Sequence, residues 1–499
     1  MSNEPDMSPT QEPESGHHET KPEDRVPFGQ KLVYGSGALV NNLLAVAMGN
    51  MMALLNLVWG MNPALVGALG GLPRIVDAIT DPLMGHISDN TRTRWGRRRP
   101  YIFVGAILVG IVYAVLWQLP KDQTEDFYFN WFLIGSVIFF IAYTIFATPW
   151  VALGFELTPD YHERTRLMGV QFFIGQFPYI IAPWFVAITT WAIFTDQAQG
   201  ASVLAIIVCV VSIAFGVLPA LLLKERPLPP KAPSAEGESA GVGGAVVGFF
   251  KAFLQTLASG PFLLLCAATF LVFNGFQLIA SFQLYVTIYF VAGGDQAVGG
   301  EWFGWAGSVQ NGSTFFVIPF VTWLAGKIGK RRAFYVSTTL AIVGYLMKWF
   351  CYDPNNPWLV IVPAPFMAFA LGGLFTLMPS MIADVVDLDE LKTNERREGL
   401  FGAVFWWVVK LGMGVAVWGG GLLLNYTGFD VELGGNQSAE AIHLMRVFDV
   451  VVPAATAGLA IFAMSYFPLT EQKAFEVRAE LEARRGTAQP KDEDDPSTF

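Results

Sequence analysis

Charged residues are scarce in this chain of 499 residues: Asp, Glu, Lys and Arg make up 14% of it, against about 25% in an ordinary soluble domain. Hydrophobic residues make up 53%. This composition excludes a soluble globular protein and indicates an integral membrane protein. The net charge of −10 comes mostly from the two ends, which are polar, acidic and poor in aromatic residues, and we expect disordered tails there.

Cysteine and histidine are also scarce, which excludes several kinds of site. The three cysteines, Cys209, Cys266 and Cys351, lie in apolar segments without metal-like spacing, so we expect no disulfide framework. None of the five histidines clusters with acids inside an apolar run, and no glycine-rich phosphate loop is present. We also expect no cleaved signal peptide. The sequence therefore predicts a protein that is not an enzyme, has no cofactor and does not bind nucleic acid.

Long hydrophobic runs dominate the chain instead. About twelve of them approach or exceed the roughly 20 residues that a helix needs to cross a bilayer, so we predict an all-α membrane protein with twelve transmembrane helices. The runs lie near residues 31–58, 63–87, 100–119, 130–156, 167–190, 201–223, 261–291, 302–326, 332–351, 357–383, 398–425 and 446–468. Lysine and arginine are concentrated in alternate loops, and the positive-inside rule predicts that these loops and both termini are cytoplasmic.

Two short motifs occur twice, about 230 residues apart. They are Gly96-Arg97-Arg98-Arg99, repeated as Gly329-Lys330-Arg331-Arg332, and Glu163-Arg164, repeated as Glu395-Arg396. This repeat predicts two six-helix halves. We expect a disordered tail at 1–28, a first bundle at 29–225, a flexible cytoplasmic linker at 226–258, a second bundle at 259–470, and a cytoplasmic helix and tail at 471–499.

One segment carries a resemblance to a known family. The run from Asp77 through Asp81 and Pro82 to Gly85, followed by residues 89–100 (DNTRTRWGRRRP), resembles the signature of the glycoside–pentoside–hexuronide:cation symporters of the major facilitator superfamily. The segments MIADVVDLDELKTNERREGLF and YFPLTEQKAFEVRAELEARR are similar to the same family. The resemblance covers roughly residues 28–486. It implies a monomeric transporter of the cytoplasmic membrane, with the major facilitator fold, that moves a sugar or glycoside by alternating access together with Na⁺ or H⁺.

Two acids inside the second hydrophobic run are the strongest functional signal. A carboxylate at bilayer depth costs roughly 2.5–3.5 kcal/mol, and Asp77 and Asp81, four residues apart, lie on one helical face together with Thr80. Two such carboxylates bind a hard cation such as Na⁺ or share a proton, and both alternatives stay open. The family resemblance adds Thr144 to this cation site. The other interpretation is that one of the acids forms a packing ion pair with Arg74 or Lys410.

The substrate site is predicted from polar and aromatic residues inside other runs. Lys410 lies about a dozen residues inside the eleventh run, where it can reach the acids, and the family carries a lysine near its cation and substrate sites. Where the melibiose-transporting member has charged sugar ligands, this chain has Asn42, Ala147 and Gln171, so galactoside specificity is not implied. The predicted substrate residues are Asn41, Asn42, Arg74, Trp150, Gln171, Gln277 and Lys410, with Asn274 and Gln283 as further amides on the seventh run. Lys348, near the outer end of the ninth run, is expected to extend to the membrane surface.

Charged clusters beside the basic loops suggest a gate. Arg164 and Arg166 can meet Asp384, Asp387 and Glu390 in ion pairs that form and break as the halves rock. The alternative is a solvated surface that only sets topology. For the whole protein, a cation-dependent transporter of a lysophospholipid or another amphiphile also stays open, because the charged sugar ligands are missing.

Overall fold

The computed structural model describes residues 22–158, 160–225, 256, 259–393 and 397–486. Within these ranges the chain is helical, and the β-structure is confined to an isolated bridge between Thr93 and Gly96. The α-helices in chain order are α1 Phe28–Met51, α2 Ala53–Leu57, α3 Pro63–Gly71, α4 Pro73–Asn90, α5 Arg99–Leu116, α6 Glu125–Glu156, α7 Tyr161–Gly175, α8 Phe177–Ile181, α9 Phe185–Thr189, α10 Gln197–Gly216, α11 Leu218–Leu222, α12 Gly260–Leu278, α13 Ala280–Tyr285, α14 Gln296–Ile328, α15 Lys330–Cys351, α16 Ala364–Thr393, α17 Glu398–Tyr426, α18 Ala439–Ser465 and α19 Glu471–Gly486. A π-helix, Val286–Val291, follows α13.

Within the described residues, ten helical stretches are long and apolar enough to cross a membrane. They are Phe28–Leu57, Arg99–Leu116, Glu125–Glu156, Glu163–Thr189, Gln197–Leu222, Gly260–Val291, Lys330–Cys351, Pro357–Thr393, Gly399–Tyr426 and Ala439–Ser465. The predicted runs at 63–87 and 302–326 are also helical, as α3 with α4 and as α14, but they are less apolar. The reason is visible in the sequence, since α4 carries several charges and the middle of α14 carries amides and hydroxyls.

Proline divides the second run at the point where the acids begin. Asn62 caps α3 by accepting a hydrogen bond from the Ala64 amide at 2.9 Å, with Pro63 in the first turn. Pro73 then starts α4, because proline has no amide hydrogen to continue the α3 ladder. Asp77 and Asp81 therefore lie on α4, a helix separate from α3.

The two ends of the molecule differ in charge. We call the end with the arginine-rich loop 91–98 and the Gly329 turn the basic end, and the end with Asn56, Asn62 and Asn425 the opposite end. Buried apolar residues form two clusters, one of which contains only residues between 262 and 469. The other fills the first half and continues into the second half through residues near the opposite end, such as Tyr285 and Phe429. The two halves therefore share a core at the opposite end.

Part of the predicted tail, residues 22–28, lies within the described residues. The Val26 amide donates to Glu163 Oε1 at 3.0 Å, and Thr158 Oγ1 donates to the Asp24 carbonyl at 2.8 Å. These bonds attach Asp24 and Val26 to the body of the first half, and disorder of the remaining tail stays a prediction. Most of the predicted linker at 226–258 and the ends of both tails lie outside the described residues.

Candidate functional site

An ion pair between α4 and α17 lies at the centre of the predicted site. Lys410 Nζ pairs with Asp81 Oδ2, and Thr148 Oγ1 donates to Asp81 Oδ1 at 3.1 Å. The lysine compensates the carboxylate inside the protein. The side chains of Lys410 and Asp81 are 33% and 31% exposed, so water and small ions can reach the pair. Because α4 belongs to the first half and α17 to the second, this pair joins the halves.

Hydroxyl groups from α6 complete the surroundings of Asp81. Thr80 Oγ1 and Thr144 Oγ1 lie 3.1 Å apart, within hydrogen-bonding distance. Thr144 and Thr148 are one turn apart on α6, so both face α4. Oxygen atoms from two helices therefore converge, as a hard cation requires. Asp77 lies one turn before Asp81 on α4, but its side chain is outside the described residues, and its role stays a prediction.

Sequence reasoning missed Thr148, although its spacing from Thr144 was a usable signal. Arg74, the other base considered as a partner for the acids, has its guanidinium carbon 4.7 Å from the centre of the Phe140 ring, in a cation–π contact. The described ion-pair partner of Asp81 is Lys410.

A chain of amides connects α1, α6 and α7. Asn41 Nδ2 donates to Asn42 Oδ1 at 3.1 Å, Asn42 Nδ2 donates to the Gly175 carbonyl at 2.8 Å, and Tyr143 Oη donates to Asn41 Oδ1 at 2.8 Å. Gln171 lies one turn before Gly175, and its Oε1 is buried without a hydrogen-bond partner. Buried polar atoms are nearly always paired, so this oxygen is an acceptor that no described protein donor uses, and its contact with substrate stays a prediction.

Asn274 on α12 has the same property in the second half. It is 6% exposed, and neither of its amide atoms has a hydrogen-bond partner. Its side chain lies against Gly412, two residues after Lys410 on α17. Gln277 is half-buried near the end of α12, and no described contact joins it to the amides of the first half.

Trp150 lies in the packing between α1 and α6. It is 1% exposed, its Nε1 donates to the Tyr34 carbonyl at 3.1 Å, and its ring stacks on Tyr34 with 5.2 Å between centroids. This geometry favours a packing role over the predicted substrate contact.

We expect Trp150→Ala to destabilise the protein by about 3–5 kcal/mol, because it removes a large buried ring. Trp150→Phe keeps a stacking ring and is expected to lose only about 1 kcal/mol with the indole hydrogen bond. Thermal unfolding of the purified variants and the KM for uptake measure the two roles separately. A raised KM for Trp150→Phe at unchanged stability would instead support substrate contact.

Two of the predicted gate residues, Asp384 and Arg166, form ion pairs within their own half. Lys330 Nζ pairs with Asp384 at 2.7 Å, and Arg166 pairs with Glu163 at 3.3 Å. Arg164 donates to the Thr158 carbonyl at 3.2 Å. Asp387 and Glu390 are half-buried on the last turns of α16. Pairing of these acids with Arg164 or Arg166 across the halves stays a prediction.

Another acid organises the basic end of the first half. The Glu225 carboxylate accepts hydrogen bonds from the amides of Arg97, Arg98 and Arg99 at 2.8–2.9 Å. These amides open α5, where a carboxylate also interacts favourably with the helix dipole. Arg98 in turn pairs with Asp89 at 2.7 Å. The arginine-rich loop is therefore fixed to the segment that follows α11.

At the opposite end the two halves are sealed together. A Cβ atom on Gly71 would lie 2.4 Å from the Gly414 carbonyl oxygen, so α3 and α17 touch through their backbones. Hydrogen bonds across the halves add to this contact: Tyr285 Oη to Asn56 Oδ1 at 2.6 Å, Asn425 Nδ2 to Asn62 Oδ1 at 2.6 Å, and Trp184 Nε1 to Ser308 Oγ at 2.7 Å.

An all-helical membrane protein with a polar interior, an ion pair between its halves and one sealed end has the features of a secondary transporter. Comparison with known proteins agrees. The sequence pattern of the family described as MFS/sugar transport protein matches residues 33–471. The chain belongs to this family, and within it to the glycoside–pentoside–hexuronide:cation symporters of the major facilitator superfamily. It is therefore a transporter rather than an enzyme.

Three curated relatives illustrate the range of the family. The isoprimeverose transporter of Lactiplantibacillus pentosus is 26% identical, over 93% of this chain and 92% of its own. A glucuronide carrier protein homolog of Escherichia coli is 24% identical, over 91% and 96%. The sodium-dependent lysophosphatidylcholine symporter 1 of Gallus gallus is 24% identical, over 95% and 92%.

The fold is also that of solved transporters. A bacterial homologue of the human lysosomal transporter Spinster, in an inward-facing and unoccupied conformation, superposes with a TM-score of 0.65. The match covers 93% of this chain and 99% of the other at 16% identity, which supports the major facilitator fold.

Proposed function

We propose that this protein is a symporter that moves a sugar or glycoside across the cytoplasmic membrane together with Na⁺ or H⁺. The observation that carries the proposal is the Asp81–Lys410 pair, which joins the two halves beside the hydroxyls of Thr80, Thr144 and Thr148. Relatives named for sugars and glucuronides support the substrate class.

The proposed architecture has twelve spans in two groups of six, as a monomer. It adds α3 with α4, and α14, to the ten apolar spans, because each has the length to cross and its polar residues can face the interior. The basic end is proposed to be cytoplasmic with both termini, following the positive-inside rule. The sealed end then faces outward, and the structure represents a state closed to the outside.

In the proposed mechanism, Lys410 and the transported cation compete for Asp81. In the sealed state the ammonium neutralises the carboxylate. When the outer end opens, a cation binds Asp81 and the nearby oxygens, with Asp77 as a predicted further ligand, and Lys410 is released. Na⁺ would use oxygen ligands and H⁺ would protonate the carboxylate. Either ion takes over from Lys410 the compensation of the Asp81 carboxylate, so ion binding and closure around substrate are coupled.

The substrate is proposed to bind between the amides of the two halves. Asn41, Asn42 and Gln171 provide donors and acceptors for sugar hydroxyls, and the unpaired oxygen of Gln171 gains a partner when a hydroxyl binds. Asn274, also unpaired, is proposed as a contact from the second half. Sugar binding would then draw the halves together.

A lysophospholipid or another amphiphile is the second candidate substrate. The Gallus gallus relative is matched over nearly its full length. On α7, Phe172 and Phe173 are 46% and 54% exposed, and such aromatic surface suits an acyl chain. The amide cluster, by contrast, suits hydroxyl-rich molecules.

Uptake by proteoliposomes tests this proposal. The panel contains labelled pentosides, hexosides, a hexuronide and lysophosphatidylcholine, each offered first with an inward Na⁺ gradient and then with an inward H⁺ gradient. We expect accumulation of at least one sugar with one of the two gradients. Uptake of the lysolipid alone would favour the second candidate, and sugar flux that ignores both gradients would contradict symport.

A further inference from the structure

A second ion pair lies buried in the other half of the chain, away from Asp81. Lys348 near the end of α15 pairs with Asp449 on α18, with 2.5 Å between Nζ and Oδ2, and the two side chains are 0% and 1% exposed. The sequence-based expectation that Lys348 extends to the membrane surface is wrong, because Asp449 provides a partner inside the protein. Removing two charges from water costs free energy that their mutual attraction often does not offset, so a buried ion pair is weak evidence for a purely stabilising role.

The pair borders a narrow crevice. The crevice is too narrow to admit a water molecule, and Val286 and Tyr352 form part of its walls. Asp449 Oδ1 and Tyr352 Oη are buried without hydrogen-bond partners. Hydration of these atoms would therefore be favourable, and it requires the crevice to widen.

Arg446 connects the pair to the π-helix Val286–Val291. It lies one turn before Asp449 on α18, and its guanidinium carbon is 3.7 Å from the centre of the Phe290 ring and 4.6 Å from that of Trp349. Its Nη2 also donates to the Trp349 carbonyl at 3.1 Å. A π-helix is rare and often marks a functional position. Here the arginine holds it against α15 and α18.

The π-helix in turn supports a contact between the halves. Tyr285 directly precedes it, is 1% exposed, and donates its hydroxyl to Asn56 of the first half. The ion pair, Arg446, the π-helix and Tyr285 thus form one continuous set of contacts that ends at the sealed interface.

We propose that Lys348 and Asp449 are positioning residues that set the equilibrium between the sealed and the open opposite end. The attraction between Lys348 and Asp449 holds α15 and α18 together against the π-helix, which favours the sealed end. The free-energy cost of keeping both charges out of water favours the open end. Opening of this end moves the π-helix away from the crevice and admits water to Asp449. This inference rests on the proposed alternation between two access states.

Two variants shift this equilibrium in opposite directions. Asp449→Asn leaves the ammonium of Lys348 dry and without a counter-charge, so it favours opening and hydration. Lys348→Met combined with Asp449→Leu removes both charges and keeps apolar volume, so it favours sealing. Glu440→Gln, at an exposed position on α18, is the matched control.

Cysteine labelling at the sealed end reports the equilibrium. Val431 lies opposite Gly60 across the halves, and Val431→Cys is placed in a chain whose three native cysteines are replaced by alanine. In nanodiscs without substrate, we expect a water-soluble maleimide to label Asp449→Asn at least roughly threefold faster than the parent, and the double variant at least roughly threefold slower. Glu440→Gln should label at the parent rate.

A merely structural pair gives another pattern. Asp449→Asn would then lower thermal stability, the double variant would restore it, and the folded proteins would all label at one rate. That result overturns the proposal. If Asp449→Asn does not fold, Tyr285→Phe replaces it, because this variant loses the hydrogen bond to Asn56. The proposal then requires Tyr285→Phe to label faster than the parent, and an unchanged labelling rate overturns it. Uptake is measured separately from labelling. If Asp449→Asn labels faster and the double variant labels slower, but no ion gradient drives uptake, the proposed symport is overturned and this inference is retained.

Discussion

Asp81→Asn is expected to abolish uphill accumulation of substrate while exchange of substrate across the membrane persists. Asparagine keeps the size of the side chain and a bond to Thr148, but it cannot exchange Lys410 for a cation. An inward potential contributes about 2.3 kcal/mol per charge per 100 mV, which is roughly a fiftyfold concentration ratio. Without the coupled ion, the accumulation ratio in proteoliposomes should fall to about one.

Two further variants separate coupling from packing. Asp126→Asn removes an exposed acid from the first turn of α6, the helix that carries Thr144 and Thr148, and is expected to accumulate substrate normally. Asp81→Asn combined with Lys410→Gln leaves no unpaired charge. If the pair only packs the helices, this double variant regains accumulation, and the ion-coupling role of Asp81 is then rejected.

Gly71→Ala is expected to reduce the initial rate of uptake by at least about tenfold. The added Cβ would lie 2.4 Å from the Gly414 carbonyl oxygen, and since this is backbone on α17, the two helices must separate. A transporter that cannot seal its opposite end cannot complete its transport cycle. Initial uptake and labelling of Val431→Cys by maleimide measure the effect, and labelling should become faster.

The neighbouring glycine provides the matched control. A Cβ on Gly70 would approach only the Val417 side chain, at 2.5 Å to one methyl group, so a shift of that side chain relieves the contact, whereas the Gly71 variant requires a shift of backbone. Gly70→Ala should therefore retain uptake. Equal activity of the two alanine variants would show that close backbone contact at this end is not needed for transport.

The sequence located the interior charges and named Arg74 and Lys410 as candidate partners of the acids, but it could not choose between the two bases. Asp81 and Lys410 were recognisable because a charge inside an apolar run is unfavourable wherever the run lies. That Lys410 rather than Arg74 pairs with Asp81 depends on how α4 and α17 meet, and no local pattern encodes a contact between residues 329 positions apart. The same limit explains Lys348, whose partner Asp449 lies on another helix.

For the fold, the sequence predicted the positions of the helices but not the role of every residue on them. Each of the ten stretches of the described residues that have the length and apolar composition of a span lies at a predicted hydrophobic run. The two other predicted runs, α3 with α4 and α14, are helical but carry more polar residues, and the count of twelve spans stays a proposal. Trp150 shows why aromatic residues were harder to assign. A tryptophan inside an apolar run packs against helices or against a ligand, and only the stacking on Tyr34 distinguishes the two.

The separation of Asp81 and Lys410 along the chain also bears on how the protein is made. Asp81 and Lys410 are 329 positions apart, and at about 5–20 residues per second a ribosome needs tens of seconds to reach the second after the first. During that time the newly inserted α4 has no lysine beside it, while Thr144 and Thr148 on α6 emerge within seconds. Nascent Asp81 must therefore spend its first half-minute protonated or hydrated, sheltered by hydroxyls that later serve the finished carrier.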